Sequence, residues 1–444
     1  MKKVVISIKI IVFIALFIAC GQFFRFILVD DTASYTRIMM HEMYESEENI
    51  DVLFVGSSHC YFSFVPEITD EIFGKNTFNV GSSSQGMDAS YELIREVNKR
   101  NDLQQVYLEV YYRMGASGEN KDRDLMMGTN IISDYMKPSL RKYAFLLQAS
   151  SNKHYVNSFI VARRDWEKLY DPVYMRDLVK KKLTDDYRDY KYTYVTDNGQ
   201  AYQGKGYVTN NGVAPEYYCF QCWPIYVDGF SKDWENSLKK IISYCDKEGI
   251  ELTLVSAPMP NFALAGMGNY DDYLGKVNGI IEGTGVKYYD FNFCKEEYIP
   301  NTSAIFRDTD HLNTEGAELF STVFAKFFTG QIREEDLFYS SFNEKLSHLD
   351  PMILGLGHQD RASAYSDEIV RHLQVVSTRY EGIEYRIYLT PEGEETCMVQ
   401  DFSENREFEI PLDLHGICTI EWKIKDVEED TVQTAEIAYY VIIS

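Results

Sequence analysis

Two short segments of this chain together carry the residue types that can activate a hydroxyl group. Residues 51–58 read Asp-Val-Leu-Phe-Val-Gly-Ser-Ser, a short apolar run that leads into a Gly-x-Ser turn. Residues 308–311 read Asp-Thr-Asp-His, which places an acid three residues before a histidine. A serine, a histidine and a carboxylate are the parts needed for nucleophilic acyl transfer. The two segments lie far apart in the sequence, so only folding can unite them.

The elements that would position these segments alternate between strand and helix. Short runs rich in β-branched or aromatic residues predict five strands, at residues 51–55, 77–80, 105–110, 251–256 and 287–291. Amphipathic stretches at 87–99 and 234–247 predict helices between them, and Asn313 can cap a last helix just after His311. This alternation is typical of an α/β fold with a parallel sheet covered on both faces.

Polar or reactive residues follow the predicted strands of this sheet. In doubly wound sheets, ligand sites form beyond the carboxyl ends of the strands. Those ends carry Gly56-Ser57-Ser58-His59, Gly81-Ser82-Ser83-Ser84-Gln85, Tyr111-Tyr112-Arg113, Pro258-Met259 and, after the fifth strand, Asp308 and His311. We therefore expect a ligand site at this edge of the sheet.

These residues and their order resemble the SGNH/GDSL hydrolase family over about residues 50–330. In that family the serine follows the first strand and an Asp-x-x-His motif precedes the last helix. The resemblance implies a three-layer α/β/α sandwich, and it implies Ser58 as nucleophile, because Gly56-Ser57-Ser58 matches the family's Gly-Asp-Ser. It further implies His311 as general base, Asp308 as the acid that orients it, and the backbone N–H groups of Ser58 and Gly81 as donors to the oxyanion.

The third block of the family pattern is different in this chain. Glu109-Val-Tyr-Tyr-Arg113 stands where the family has Gly-x-Asn-Asp, so the asparagine that completes the oxyanion hole is missing. Losing one such donor typically costs about 10²–10³ in rate. Gln85, Tyr111 and Arg113 are the candidates to replace it, and the sequence does not choose among them. His59 is either a packed turn residue or a contact to substrate.

Several of the same residues also have ordinary structural roles open to them. Ser58 can serve as a helix N-cap and Ser57 as a turn residue. Asp310 can replace Asp308 as the acid that orients His311. The aromatic residues of the insertion at about 115–230 can be packing residues or a wall on which sugars stack.

A Ser-His dipeptide in the first block, combined with an apolar N-terminus, is similar to the surface-acting branch of the family. That branch includes proteins of polysaccharide O-acetylation and of teichoic-acid D-alanylation. The resemblance implies a cell-surface glycan as substrate, acetyl as the acyl group and a membrane-bound O-acyltransferase as partner. We expect a membrane-anchored extracytoplasmic serine acyltransferase or esterase that needs no cofactor and no metal. The alternative is a catalytically degenerate glycan-binding or assembly subunit of a polymer-acylation complex.

The N-terminal segment 4–29 is almost entirely apolar and follows Lys2 and Lys3. At about 1.5 Å per helical residue, it can cross a hydrocarbon core of about 30 Å. Lys2, Lys3 and Lys9 favour a cytoplasmic N-terminus, which predicts a single-pass membrane protein with its main domain outside. A cleaved signal peptide is the rival interpretation. Cys20 is the candidate cysteine if the segment is processed as a lipoprotein signal.

The charge and the cysteine content argue against nucleic-acid binding and against a zinc or redox site. The formal net charge of −24 and the pI near 4.8 should repel nucleic acid and anionic lipid headgroups, so we expect no nucleic-acid partner. Cys219-Phe-Gln-Cys222 is the only close pair among eight cysteines. We interpret this pair as a loop disulfide or as two packed thiols, because a zinc or redox site would need a second ligand pair.

A chain of 444 residues is too long for one ordinary core. We expect a transmembrane signal anchor at 1–31, a catalytic domain at 32–330 with an insertion at about 115–230, a connector at 331–366 and an accessory β-sandwich at 367–444. Within the catalytic domain, we expect a polar, helical stalk at 32–49 and a Gly/Tyr-rich loop at 202–207. The last assignment depends on six strand-like runs separated by polar turns, with little helix between them.

Overall fold

A computed structural model of the chain describes residues 2–116, 123–150, 155–196, 199–222, 230–363, 369–425 and 432–439. The chain divides into two compact units. The first unit comprises Met1–Asp70, Gly74–Asn210 and Ser231–Leu252, and the second comprises Glu71–Phe73, Asn211–Phe230 and Thr253–Ser444. The expected insertion at about 115–230 therefore does not form a unit of its own, since its residues are divided between the two.

The apolar N-terminus forms one long helix, Lys2–Leu28. Within it, the 25 residues of Val4–Leu28 include an 18-residue window with a mean hydropathy of 2.8, and this stretch is long and apolar enough to cross a membrane. A signal sequence near the N-terminus can meet the same criteria of length and apolar composition, so the helix fits either an anchor or a signal.

The next segment is a helix, Tyr35–Glu45, capped by the Ser34 hydroxyl. We expected a polar, helical stalk at 32–49. The helix is confirmed, but the prediction that it is a polar stalk was wrong. Ile38, Met39 and Met43 recur at helical spacing and are buried in the first unit. The segment is part of the core of this unit because one of its faces is apolar.

A parallel sheet of five strands forms the centre of the α/β fold, as the alternation of strands and helices predicted. The order of the strands across the sheet is Thr77–Asn79, Val52–Val55, Gln105–Glu109, Glu251–Ser256 and Lys287–Asp290. Each predicted strand is present, with ends within a residue or so of the expected bounds. The strands nearest the middle are buried along most of their length, as apolar runs such as Val-Leu-Phe-Val require.

The predicted helices are also present. Met87–Asn98 and Lys232–Glu248 belong to the first unit, and Thr314–Phe328 belongs to the second. The second unit also contains a long helix that was not predicted, Tyr270–Ile281. Shorter helices are Ser58–Ser63, Pro66–Phe73, Tyr112–Ala116, Asn261–Ala265, Glu334–Leu337 and Phe342–His348. Each long helix buries an apolar stripe, because apolar side chains recur every three or four residues along it.

The region between the third and fourth strands of the sheet is mainly short helices. They are Arg123–Ser133, Leu140–Ala149, Tyr155–Phe159, Pro172–Lys182 and Asp185–Arg188, with single 3₁₀ turns at Val161–Arg163 and Trp166–Tyr170. We expected a loop at 202–207, but the structure has a hairpin of Gln200–Gly204 and Tyr207–Asn210. Gly204 and Gly206 have positive φ at its turn, which explains the glycines that suggested a loop.

Two antiparallel sheets form the C-terminal part of the second unit. One contains Glu407–Ile410, Ile369–Ser377 and Ile353–Ala362, to which Cys219–Gln221 adds in parallel. The other contains Cys397–Ser403, Ile383–Pro391, Gly416–Ile424 and Gln433–Tyr439. Side chains from both sheets meet in one apolar core, among them Leu356, Val375, Ile387, Ile420 and Ile437. The strand Ile353–Ala362 lies inside the range that we expected to be a connector.

Candidate active site

Asp308 and His311 lie on one loop of the second unit and are hydrogen-bonded to each other. The Nδ1 atom of His311 lies 3.0 Å from Oδ1 and 3.1 Å from Oδ2 of Asp308. The backbone N–H groups of Asp310 and His311 both donate to Asp308 Oδ1, each at 2.9 Å. An acceptor at Nδ1 favours the tautomer with its proton on that nitrogen, which makes Nε2 the basic nitrogen of the ring.

The electrostatics of this pair keep Asp308 ionised. Burial alone would raise the pKa of Asp308, but the hydrogen bond and charge of His311 and the two backbone N–H groups outweigh it. The pKa of Asp308 therefore lies well below its ordinary value. Arg307 adds a positive charge, with Nε 3.4 Å from Asp308 Oδ2. An ionised carboxylate stabilises the imidazolium that forms when His311 accepts a proton.

The loop that carries this pair leads directly into a helix, as the sequence suggested. Phe306 and Leu312 form an isolated β-bridge on either side of the pair. The helix Thr314–Phe328 begins immediately after it and is capped by the side chain of Asn313. His311 thus lies on a short loop that this bridge closes, between the 3₁₀ turn Ser303–Ile305 and a capped helix.

The candidate nucleophile lies in the first unit, at the start of the short helix Ser58–Ser63. Ser57 is the N-cap of this helix, and its Oγ accepts from the His59 N–H at 3.3 Å. Ser58 is the first helical residue and not the N-cap, so the capping role considered for Ser58 belongs to its neighbour. Ser57 occupies the turn, as expected from the sequence.

Glu109, the last residue of the third strand, holds the serine turn. Its buried Oε2 accepts from the Ser57 N–H at 2.8 Å and from the Ser57 hydroxyl at 2.9 Å. Gly56 makes this approach possible, because a Cβ at residue 56 would lie 2.6 Å from both Cβ and Oε2 of Glu109. The glycine of the Gly-x-Ser pattern is therefore required by the acid that stands in place of the family's third block.

The Gly81 N–H, which the resemblance assigns to the oxyanion, donates to Asn79 Oδ1 at 2.9 Å. Asn79 is buried, and its Nδ2 donates to the backbone carbonyl oxygens of Cys60 and Phe64 at 2.9 and 3.2 Å. This network fixes the Asn79 side chain in place. The Gly81 N–H would have to exchange Asn79 for an oxyanion in order to act as a donor.

Gln85, one candidate to replace the missing asparagine, is engaged within the first unit. Its Oε1 accepts from the Ser82 hydroxyl at 2.8 Å, and its Nε2 donates to the Ser90 hydroxyl at 3.0 Å. The side chain is buried. These contacts give Gln85 a structural role in the loop after the second strand.

The other candidate side chains in the first unit make aromatic and polar contacts. The rings of Tyr111 and His59 pack together with their centroids 4.0 Å apart. His59 is buried, which fits the packed turn residue that we considered for it. Arg113 Nε donates to the Tyr112 hydroxyl at 2.8 Å.

Glu109 and Asn79 are site residues that the sequence pattern did not reveal. Each ends a buried strand of the parallel sheet, and they contact the turns at Ser57 and Gly81 respectively. Both could have been found in the sequence as polar residues at the end of otherwise apolar strands.

The cysteine pair is present as two packed thiols. Cys219 lies in the strand Cys219–Gln221, and Cys222 Sγ accepts from Gln374 Nε2 at 2.9 Å. Burial raises the pKa of Cys219 to about 12 and raises the pKa of Cys222 as well. Within the described ranges, no group of three or more His, Cys, Asp or Glu side chains is arranged to hold a metal ion.

Comparison with known proteins identifies no family for this chain and finds only a weak structural similarity. No protein-family model and no curated protein matches the chain. One similar solved structure comes from Streptococcus pneumonia and is described provisionally as a platelet activating factor. It is 10% identical in sequence, with a TM-score of 0.31, and the match covers 66% of this chain and 90% of the other.

Proposed function

We propose that this protein is a membrane-anchored serine esterase or acyltransferase that acts on O-acyl groups of a cell-surface polysaccharide. The observation that carries the proposal is the Asp308–His311 pair, in which both carboxylate oxygens lie within 3.1 Å of the imidazole Nδ1. A histidine held in this way is suited to act as a general base. Ser58 is its proposed nucleophile, since it opens a helix directly after the first strand of the parallel sheet.

In the proposed reaction, Ser58 Oγ attacks the carbonyl carbon of an acyl ester while His311 Nε2 takes the hydroxyl proton. Asp308 keeps the proton on His311 Nδ1 and stabilises the imidazolium. Collapse of the tetrahedral intermediate transfers the proton from Nε2 to the leaving alcohol and leaves an acyl-serine. A sugar hydroxyl or a water molecule then attacks the acyl-serine while His311 removes its proton. The bond between the acyl group and Ser58 Oγ breaks, and His311 returns the proton to Ser58. The first acceptor gives transfer and the second gives hydrolysis.

The N-terminal helix is the basis for the proposed location of the reaction. In this proposal, Lys2–Leu28 holds the protein in the cell membrane as a single span, and the three lysines near its start keep the N-terminus in the cytoplasm. The rest of the chain would then face cell-surface glycan outside. A membrane-bound O-acyltransferase is the proposed partner that supplies the acyl group, for which acetyl is the leading candidate.

A second candidate is a glycan-binding or assembly subunit with a degenerate site. Two contacts favour it. The Glu109 carboxylate is used to hold Ser57, and the Gly81 N–H has Asn79 as its acceptor. A site with fewer oxyanion donors would stabilise the transition state less.

Covalent labelling by a fluorophosphonate distinguishes the two candidates. The sample should be the full-length chain in detergent, because Asp31, just beyond the helix, is paired with the buried Lys182. The wild type is expected to be labelled, and Ser58→Ala and His311→Ala are expected to lose the label. Ser347→Ala, which removes an exposed serine of the second unit, is the matched control and should label as the wild type does.

Each outcome has one meaning. Loss of label in both site variants, with the control unchanged, supports the enzyme. A folded wild type that takes no label, or a Ser58→Ala variant that labels at the wild-type rate, overturns the proposed mechanism and leaves the binding subunit.

A further inference from the structure

A cavity of about 540 Å³ lies within the second unit. Its walls include Tyr217 from the segment Asn211–Phe230, Asn261 and Phe262 from the short helix Asn261–Ala265, and Trp422 from the C-terminal sandwich. The volume is within the range of about 300–1,000 Å³ that is typical of small-molecule sites. The acyl-transfer mechanism uses none of these residues.

A polar frame fixes one wall of this cavity. The Asn261 N–H donates to Asn301 Oδ1, and Asn301 Nδ2 donates to the backbone oxygen of Met259, both at 2.8 Å. Glu296 Oε2 accepts from the Asn301 N–H at 2.5 Å, and Glu296 Oε1 lies 3.3 Å from the buried ammonium group of Lys345. The wall is therefore rigid before any ligand binds, which reduces the entropic cost of binding.

Asn261 has an unused acceptor on this wall. The residue is 5% exposed, and its Oδ1 has no hydrogen-bond partner within the described part of the chain. Its Nδ2 lies 3.4 Å from Glu296 Oε1, which orients the amide with Oδ1 away from the carboxylate. A buried acceptor without a donor costs about 1–3 kcal/mol. Oδ1 itself is enclosed in this structure, so a ligand hydroxyl or amide would gain this hydrogen bond only with a movement of the Asn261 side chain toward the cavity.

Aromatic side chains also line the cavity. Tyr217 is partly buried and packs against the core of the sandwich, to which the buried Trp422 belongs. Phe262 packs against the ring of Tyr218 with the centroids 5.3 Å apart. Aromatic faces carry negative quadrupole charge and attract the weakly positive C–H groups of a sugar ring. Aromatic surfaces combined with amide and carboxylate groups suit a ligand with apolar faces and hydroxyl edges.

The charge of the cavity selects against anions. Glu216 and Glu296 line it, and within the described residues no lysine or arginine does. A phosphate or a uronate would therefore meet acidic side chains with no cation to pair with, at an energetic cost. Hydroxyl donors, in contrast, would find the Glu216 carboxylate as an acceptor, whereas Glu296 is already engaged by Asn301, Asn261 and Lys345.

The cavity shares a wall with the loop that carries the Asp308–His311 pair. Phe306 lines the cavity and forms the β-bridge with Leu312 that closes this loop. Burial and the charge of Asp308 raise the pKa of Tyr218 to about 12, which places this tyrosine near the pair as well. A ligand in the cavity would thus lie beside the loop of the candidate base.

We infer that this cavity binds a neutral sugar residue of a glycan, with Trp422 as the contribution of the C-terminal sandwich to the site. The binding itself does not depend on the serine chemistry. Only the further statement that the bound sugar belongs to the acyl donor or acceptor rests on the proposed function. The accessory domain would then help to select neutral polysaccharide over an anionic polymer.

Saturation-transfer NMR with the full-length chain in detergent micelles tests this inference. The probes are cellotetraose and chitotetraose as neutral glycans and polyglycerol phosphate as an anionic polymer. We expect saturation transfer to a neutral tetrasaccharide and none to the phosphate polymer. Tyr217→Ala and Asn261→Ala should each weaken binding by about tenfold, equivalent to ~1.4 kcal/mol. Tyr388→Ala, which removes a half-buried tyrosine outside the cavity, is the matched control and should bind normally.

Two further variants make the result unambiguous. Gln433 is exposed at the cavity, so Gln433→Ala should weaken binding without disturbing the core even if a core variant fails to fold. Ser58→Ala should bind sugar as the wild type does, which separates this inference from the serine mechanism. The inference is overturned if neither tetrasaccharide binds, if the cavity variants bind as the wild type does, or if polyglycerol phosphate is preferred.

Discussion

Glu109 Oε2 accepts two hydrogen bonds from Ser57, one from the backbone N–H at 2.8 Å and one from the hydroxyl at 2.9 Å. Ser57 in turn caps the helix that begins at Ser58. Glu109 is therefore a support for the serine turn that leads into the candidate nucleophile.

Removing the Glu109 carboxylate should loosen the serine turn. Glu109→Ala leaves the buried N–H and hydroxyl of Ser57 without their acceptor, and it should lower the free energy of unfolding by about 1–3 kcal/mol. Glu109→Gln keeps an oxygen at that position and should lose less. Thermal unfolding and the rate of fluorophosphonate labelling are the measurements. Equal stability of Glu109→Ala and wild type would contradict a supporting role.

Substituting Gly56 should be destabilising for a steric reason. Gly56→Ala places a methyl group 2.6 Å from Glu109 Cβ and Oε2, and such overpacking typically costs about 1–3 kcal/mol. Gly275→Ala is the matched control, because a Cβ there meets nothing within 4 Å and the residue lies inside the helix Tyr270–Ile281. The control should stabilise the protein by up to about 1 kcal/mol. The measurement is the free energy of unfolding of both variants by chemical denaturation. Equal stability of Gly56→Ala and wild type would contradict the steric argument.

Asp308 should affect both activity and acid stability. Asp308→Asn keeps the shape of the side chain but removes the charge that stabilises the His311 imidazolium, and the labelling rate should fall by about 10²–10⁴. The folded protein holds the pKa of Asp308 below its ordinary value, so the unfolded chain binds the proton more readily. The stability from this group is therefore present above about pH 4 and is lost as the pH falls through the folded pKa.

The pH dependence of unfolding checks this sign. Wild type should be more stable than Asp308→Asn at neutral pH, and the difference should shrink as the solution becomes strongly acidic. A difference that grows toward acid pH would show that the carboxylate is not stabilised by its hydrogen bonds with His311 and the backbone.

The packed thiols should react slowly in the folded protein. Burial raises the pKa of Cys219 to about 12, so little thiolate is present at pH 8. Cys397 is exposed and should react first with a disulfide reagent such as dithionitrobenzoate, in a Cys20→Ser background. Cys397→Ser should abolish the fast phase and Cys219→Ser should leave it. A fast phase that requires Cys219 would show that this thiol is accessible.

The ion pair of Asp31 and Lys182 should fix the end of the N-terminal helix to the first unit. The two side chains are 5% and 1% exposed, with Nζ 2.9 Å from Oδ1, and Nζ also donates to the Val29 oxygen at 2.6 Å. Lys182→Ala leaves a buried carboxylate without its partner and should cost about 3–5 kcal/mol. The double variant Asp31→Asn/Lys182→Met should recover part of this loss. A double variant no more stable than Lys182→Ala would argue against the pairing.

Much of the architecture could be read from local patterns. The runs Val-Leu-Phe-Val at 52–55 and Glu-Leu-Thr-Leu-Val-Ser at 251–256 are buried strands, and the residues around Asn313 form the capped start of a helix. These features depend on periodicity and on side chains close in sequence. The polar stalk expected at 32–49 was wrong because burial of Met39 and Met43 depends on neighbours that come much later in the chain.

The sequence by itself determined the strand–helix alternation, the apolar N-terminal helix and the Asp-x-x-His pair, since a separation of three residues lets the Asp308 carboxylate reach the His311 ring within one loop. Only the tertiary structure decided the role of Glu109 and the acceptor of the Gly81 N–H. It also decided which residues line the cavity beside Phe306. Each of these depends on contacts between residues that are distant in the sequence or belong to different elements. Side-chain pairing of that kind follows from the packing of whole elements and leaves no local pattern to read.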